Sequence, residues 1–210
     1  MPIKQQLTDL RSQIVRMACT VTTLLAVVAG HRSRTFLSYV MPQLISMSAG
    51  ANKVMAGFAL DCARDVVAAV QVHKTIAPLC ELCESSKNKA VVESAIGCIS
   101  VALRKWDTFR RSDVDLIFGA VETCLGAASP KARATARKAF WDLKNLYPER
   151  ADRVYKLLDA RTQNLIAEAD PALVPQRNED EREKEADEDA WGSENESGDG
   201  GYSDNDSIGN

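Results

Sequence analysis

The residues able to do chemistry in this chain are few. Six cysteines and two histidines are present. Nucleophilic catalysis needs a base beside the nucleophile, and His31 and His73 both fall at breaks between helical stretches, where they read as turn or cap residues. Cys80 and Cys83 in "CELC" put two thiols one helical turn apart, a spacing that can chelate. No second Cys/His pair stands near them, and a zinc site normally takes four ligands, so packing is the expected role. Asp113 and Asp115 read as charges at a helix terminus. No GxxxxGK[ST] or GxGxxG phosphate loop occurs. The expectation is a protein without catalytic residues, metal site or cofactor.

The elements that position these residues are helices. Apolar residues recur at three and four, as in Ile14, Val15, Ala18, Cys19, Val21, Thr22 and Leu25, without the alternation of strands. Breakers and caps mark the joints at "AGHRS", "SAGANK", "ESSKNK", "RRSDVD" and "ASPK". Ser112 with Asp115 reads as a capping box, and Ser129 as an N-cap with Pro130 at the first helical position. About ten helices of ordinary length result.

The joints repeat. In "RSQIVRMAC", "KVMAGFALDC", "KAVVESAIGC" and "KARATARKAF" a basic residue at a loop-to-helix boundary precedes an apolar residue eight to nine positions on. Arg11, Lys53, Lys89 and Lys131 then correspond, separated by 42, 36 and 42 residues. A period near 40, two antiparallel helices per unit, predicts an all-α solenoid of about four to five HEAT-like hairpins. The same alignment puts Cys19, Cys62, Cys98 and Phe140 at one position on the inner face of each second helix, as small buried hydrophobes.

Charge divides the chain. Residues 1–170 carry 23 Lys and Arg against 16 Asp and Glu, a net +7, whereas residues 171–210 carry 3 against 13, a net −10. The second segment lacks the apolar residues to offset chain entropy, so a folded domain over 1–170 and a disordered acidic tail over 171–210 are expected. No apolar run is expected to reach the roughly 18 residues of a membrane span, and "CTVTTLLAVVAG" does not have the place of a signal peptide. A cytosolic or nuclear protein with reduced thiols follows.

What remains is a row of loops. Stacked hairpins would bring their internal turns to one edge, presenting Arg11 and Ser12, then Asn52 and Lys53, then Lys87, Asn88 and Lys89, then Lys131 and Arg133. Cations at helix N-termini oppose the macrodipole, so their recurrence points to a basic binding edge for an acidic partner. Nucleic acid is not expected, because aromatics interleaved with the basic residues for base stacking are lacking.

The order "LTDLRSQIVRMAC", "SAGANKVM", "CESSKNKAVVESA" and "SPKARATARKAFWDLKNLYPERADRVYKLLD" resembles the TOG domain of the CLASP family, over roughly Leu7 to Leu165. The resemblance implies a non-catalytic module that binds tubulin or microtubules, and other cytoskeletal proteins, through intra-repeat loops, in the cytoplasm, cytoskeleton and spindle. An α-solenoid scaffold that does not bind tubulin is the alternative. The resemblance also implies that Phe140, Trp141, Tyr147, Pro148 and Tyr155 form the terminal core and cap, while Trp106 reads as a helix-end core residue. The sequence begins at what resembles the family's second repeat, so an exposed face at that end, and an edge lacking the family's apolar anchor, are expected.

Overall fold

The computed structural model describes residues 2–9 and 11–170; the expected acidic tail, with Ser193 and Ser203 as phosphorylation candidates, lies outside the described residues. Among them are ten α-helices: α1 (Pro2–Leu7), α2 (Ser12–Ala29), α3 (Arg34–Ser48), α4 (Lys53–Ala69), α5 (Ile76–Ser85), α6 (Lys89–Lys105), α7 (Arg111–Leu125), α8 (Pro130–Leu146), α9 (Pro148–Leu157) and α10 (Ala160–Glu168).

Consecutive helices pair as hairpins, giving five. Helices α1, α3, α5 and α7 pack into one layer and α2, α4, α6 and α8 into the other, while α9 and α10 both close on α8. This is the all-α solenoid that the period of about 40 predicts. One contiguous apolar cluster runs between the layers. It contains Ile96, Ile99, Ile117 and Phe140 at its centre, each with almost no exposed surface.

Helix boundaries follow local chemistry. Gly30 ends α2 with a φ of 49°, a left-handed value that a side chain would strain. Asn52, Asn88 and Ser129 cap α4, α6 and α8 with their side-chain oxygens. The expected capping box of Ser112 and Asp115 does not form: α7 starts at Arg111, and Arg110 stands at its N-cap without a side-chain bond. Asp115 instead pairs with Arg150 of α9, whose guanidinium also lies 4.6 Å from the Phe118 ring centroid. Tertiary attraction thus takes the carboxylate that a local box would use.

The cysteines are all free and buried. Cys62 donates to the carbonyl of Cys19 at 3.4 Å and accepts from the Thr23 hydroxyl at 3.6 Å. Cys83, from "CELC", packs against Cys124 of α7, and the contact raises the Cys83 pKa while lowering that of Cys124. Burial alone pushes Cys98 up to about 12. These thiols are packing groups within the core.

The aromatics behave mostly as expected. Trp106 is buried and donates its indole N–H to the Val67 carbonyl at 2.7 Å. Trp141 donates to Ile166 at 2.9 Å, and Tyr155 donates to Gln163 at 3.1 Å, which ties α10 to α8 and α9. Pro148 is the exception: it is exposed and opens α9 at its first position, where a missing N–H does no harm.

The helical stretch Ser12–Ser48 contains an 18-residue window of mean hydropathy 1.6, apolar and long enough by composition to cross a membrane. This corrects the sequence-based expectation that no such run exists. Within the fold the stretch is divided at Gly30–Ser33 by a 3-10 turn, and α2 buries Val15, Ala18, Cys19, Thr22 and Ala26. Its opposite face remains open.

Candidate functional site

The turns inside the hairpins lie at the starts of α2, α4, α6, α8 and α10, which run side by side in one layer up to α8. The structure therefore brings the basic loop residues to one edge. The correspondence differs slightly from the one read in sequence: Arg11 occupies the N-cap, Lys53 and Lys89 the first helical position, and Lys131 the second. Arg11 therefore aligns with Asn52, Asn88 and Ser129.

The residues named on this edge divide by what holds them. The Asn52 oxygen accepts from the backbone of Val54 at 3.1 Å and Met55 at 3.2 Å, and Asn88 accepts from Ala90 at 3.0 Å. Their side-chain oxygens are therefore occupied by the helix, though both residues are exposed. Arg11 grips Asp9 with two guanidinium nitrogens, both at 3.1 Å, and the contact raises its pKa. Arg133 is half-buried and donates to the Ala127 carbonyl at 2.6 Å, bracing the turn before its own helix. Ser12 is half-buried at the start of α2.

Lys53, Lys87, Lys89 and Lys131 remain. All four are exposed, and none takes part in the ion pairs among the described residues. Lys53, Lys89 and Lys131 lie in the first turns of their helices, against the positive end of the macrodipole, and Lys87 stands just before the Asn88 cap, so each raises the local potential with no carboxylate bonded to it. Lys87 and Lys89 line a groove of ≈240 Å³ between the α5–α6 and α7–α8 turns, whose far wall is Gly126, Ala127 and Ser129. Glu84 shares that groove and partly offsets the lysines. Ser129 caps α8 through Ala132 at 3.2 Å and donates to the carboxylate of Glu93, which fixes the wall to α6.

The fifth turn breaks the series. Asp159 caps α10, accepting from the Thr162 N–H at 2.9 Å and its hydroxyl at 2.6 Å, which lowers the carboxyl pKa. A basic run over four turns thus ends in an acidic one.

The opposite edge carries a different cluster that sequence reasoning did not find. His73 lies in a 3-10 turn and pairs through Nδ1 with the Asp113 carboxylate at 2.7 Å. Its ring meets Trp106 edge-on at 5.6 Å, and Trp106 stacks on Phe109 at 5.4 Å. The partners are 33 to 40 residues apart, one repeat, so only the repeat period itself could have signalled the contact. The pair joins neighbouring hairpins. Among the described residues no group of three or more His, Cys, Asp or Glu is arranged to hold a metal.

Comparison with known proteins gives this architecture a family. Protein CLASP-2 of Caenorhabditis briggsae is 28% identical over 165 residues, covering 78% of this chain and 21% of its own length. CLIP-associating protein 1 of Xenopus tropicalis is 24% identical over 159 residues, covering 75% of this chain and 11% of its own. The chain thus spans about a fifth or less of these relatives. A computationally designed armadillo repeat protein for modular peptide recognition aligns over 80% of this chain and 79% of its own at 14% identity, with a TM-score of 0.40. The family model described as CLASP N terminal matches residues 1–167, and the chain belongs to that family.

Proposed function

We propose that this chain is a non-catalytic, microtubule-associated module that binds the acidic surface of tubulin through the edge of its intra-hairpin turns. The observation that carries the reading is the line of four exposed lysines, Lys53, Lys87, Lys89 and Lys131, none held by a carboxylate. Arg11, Ser12, Asn52 and Asn88 flank them, and Arg133 acts as a brace for the last turn. Membership of the CLASP N-terminal family, and relatives named as CLIP-associating proteins, support the microtubule as the setting and the cytoplasm as the place. The domain is taken as residues 1–170, with the acidic segment 171–210 outside the binding body.

Exposed charges steer encounters and weaken with salt, and this gives the test. In co-sedimentation with microtubules over a salt series, wild-type binding should fall steeply as salt rises. The double reversal Lys89→Glu and Lys131→Glu should weaken binding about tenfold or more at low salt, a loss of ~1.4 kcal/mol or greater. Binding equal to wild type would remove the edge as the site. Arg133→Ala should act differently, lowering stability more than it changes the salt slope, because its guanidinium serves the turn.

A further inference from the structure

The joints between hairpins form the edge opposite the lysine turns, and two of them are tied together. Gln71 donates to Asp107 at 3.2 Å, Trp106 donates its indole N–H to the Val67 carbonyl at 2.7 Å, and His73 pairs with Asp113 at 2.7 Å. These contacts lock the α4–α5 joint to the α6–α7 joint. Around the lock stand Lys74, Lys105, Arg110 and Arg111, all exposed, and none takes part in the ion pairs among the described residues. The nearby acids are already engaged: Asp107 by Gln71, Asp113 by His73 and Asp115 by Arg150. Further hairpins flank both joints, so the exposure of these cations does not turn on what precedes the first residue or follows the last.

A cation at the end of a helix is favoured by the macrodipole, which accounts for Lys105 at the close of α6. It does not account for Lys74 just before α5, or for Arg110 and Arg111 at the N-cap and first position of α7, where the dipole opposes them. We infer that the locked joints bind an extended acidic peptide segment of another protein through Lys74, Lys105, Arg110 and Arg111. Packed helices lie ~8–10 Å apart and an extended chain advances ~3.3 Å per residue, so carboxylates two to three residues apart reach cations on both joints. Arginine offers paired N–H groups that match a carboxylate, and joints fixed beforehand leave less to order on binding.

Other occupants fit less well. A nucleic acid strand would need rings on which to stack its bases, and here Trp106 is buried with Phe109 stacked on it. A membrane surface would need apolar side chains beside the cations, yet none of the exposed large hydrophobics falls within residues 70–75 or 104–112. The cations span two joints rather than four turns, which suits a short segment more than a broad surface. They stand a helix length from the lysine edge, ~25 Å for the 17 residues of α4 or α6, and what they bind does not depend on what that edge binds.

Fluorescence anisotropy of the full chain with a labelled peptide of about six Glu–Ser pairs tests this. The peptide should bind, and Arg110→Glu with Arg111→Glu should weaken it about tenfold or more. Lys89→Glu with Lys131→Glu removes the same charge from the other edge and should change it less than about twofold, which separates a local site from net charge. Arg110 makes no cap bond and glutamate suits the start of a helix, so the circular dichroism melt should be unchanged. Arg110→Gln with Arg111→Gln, which adds no acid, should weaken the peptide about threefold and serves as the second variant. Oligothymidine and phosphatidylserine vesicles cover the nucleic acid and lipid alternatives. Absence of peptide binding, binding that survives both arginine variants, equal losses from the two edges, or tighter binding of oligothymidine or vesicles would each overturn the inference. So would binding that emerges only once residues 171–210 are deleted, which would make the chain's own acidic segment the occupant.

Discussion

Cys98 and Cys62 occupy the same depth of the same layer, yet their thiols are held differently. Cys98 has no exposed surface, and burial is the main influence on it. Cys62 has the Cys19 carbonyl and Thr23 hydroxyl within reach of its sulfur. A serine hydroxyl at position 98 must be buried with only its own helix for partners, at a cost of about 1 to 3 kcal/mol. At position 62 it inherits two partners, so Cys62→Ser should cost less, roughly 1 kcal/mol or under. Urea denaturation of the two variants gives the order directly. The pKa of Cys98, raised by burial to about 12, adds a pH dependence. The folded chain holds this proton more tightly than the unfolded chain, whose thiols titrate near ~8.5. The stability gained is therefore whole below about pH 8.5 and is lost as pH climbs toward 12. Alkaline denaturation of Cys98→Ala should be shallower than that of wild type over this window. The burial of these thiols was legible from the repeat, because a cysteine recurring at one helical position in an otherwise apolar face has core as its simplest role. The partners were not legible: Thr23 and the Cys83–Cys124 contact depend on how adjacent hairpins rotate.

At the scale of helices, the caps set what could be foreseen. Asn52, Asn88 and Ser129 each stand immediately before a basic or proline start, at nearly constant spacing, and so announce α4, α6 and α8. Asp159 does not stand out, because α9 is short and the step from Ser129 to Asp159 is 30 residues rather than about 40. The false capping box at Ser112 shows the limit of local rules, since Arg150 competes for Asp115 from a helix that sequence cannot place beside it. The real caps differ in what else they hold. Asn88 satisfies one backbone N–H at an exposed turn, whereas Ser129 is buried and bonds Glu93 as well. Asn88→Ala should therefore lower stability by about 1 kcal/mol. Ser129→Ala should cost more, about 2 kcal/mol, because it also leaves the Glu93 carboxylate without its partner beside α8. Thermal melts of both variants, with hydrogen exchange at Ala132 and Arg133 as the local readout, check the order. Equal losses would mean that the Glu93 bond adds nothing.

Across the whole molecule, charge and apolar surface are separated more sharply than composition alone conveys. The net charge of −3 conceals a body of +7 and a segment 171–210 of −10. Four exposed lysines, Lys53, Lys87, Lys89 and Lys131, lie on the edge of turns, and Met17, Val21, Leu24 and Val28 are exposed on α2. An exposed apolar face was expected at that end, from resemblance to a longer array of repeats, and its position became visible only with α2 in place, burying Val15, Ala18, Cys19, Thr22 and Ala26 on one side and exposing Met17, Val21, Leu24 and Val28 on the other. Attachment in one chain makes an encounter intramolecular, with effective concentrations in the millimolar range for short flexible links, and we propose that the acidic segment 171–210 acts on the basic edge in this way. An acidic segment at such concentration competes with an acidic partner without high intrinsic affinity. A chain deleted for residues 171–210 should then bind microtubules more tightly than the full chain at low salt, and the two should converge as salt screens the competition. Glutamate at Ser193 and Ser203, mimicking added negative charge, should move the full chain the other way. Unchanged affinity together with poorer solubility of the deleted chain would assign the segment a solubilising role instead. The Lys89→Glu and Lys131→Glu variant provides the internal check. If the segment acts on those lysines, deletion in that background should restore little, because the charges it shields are already gone.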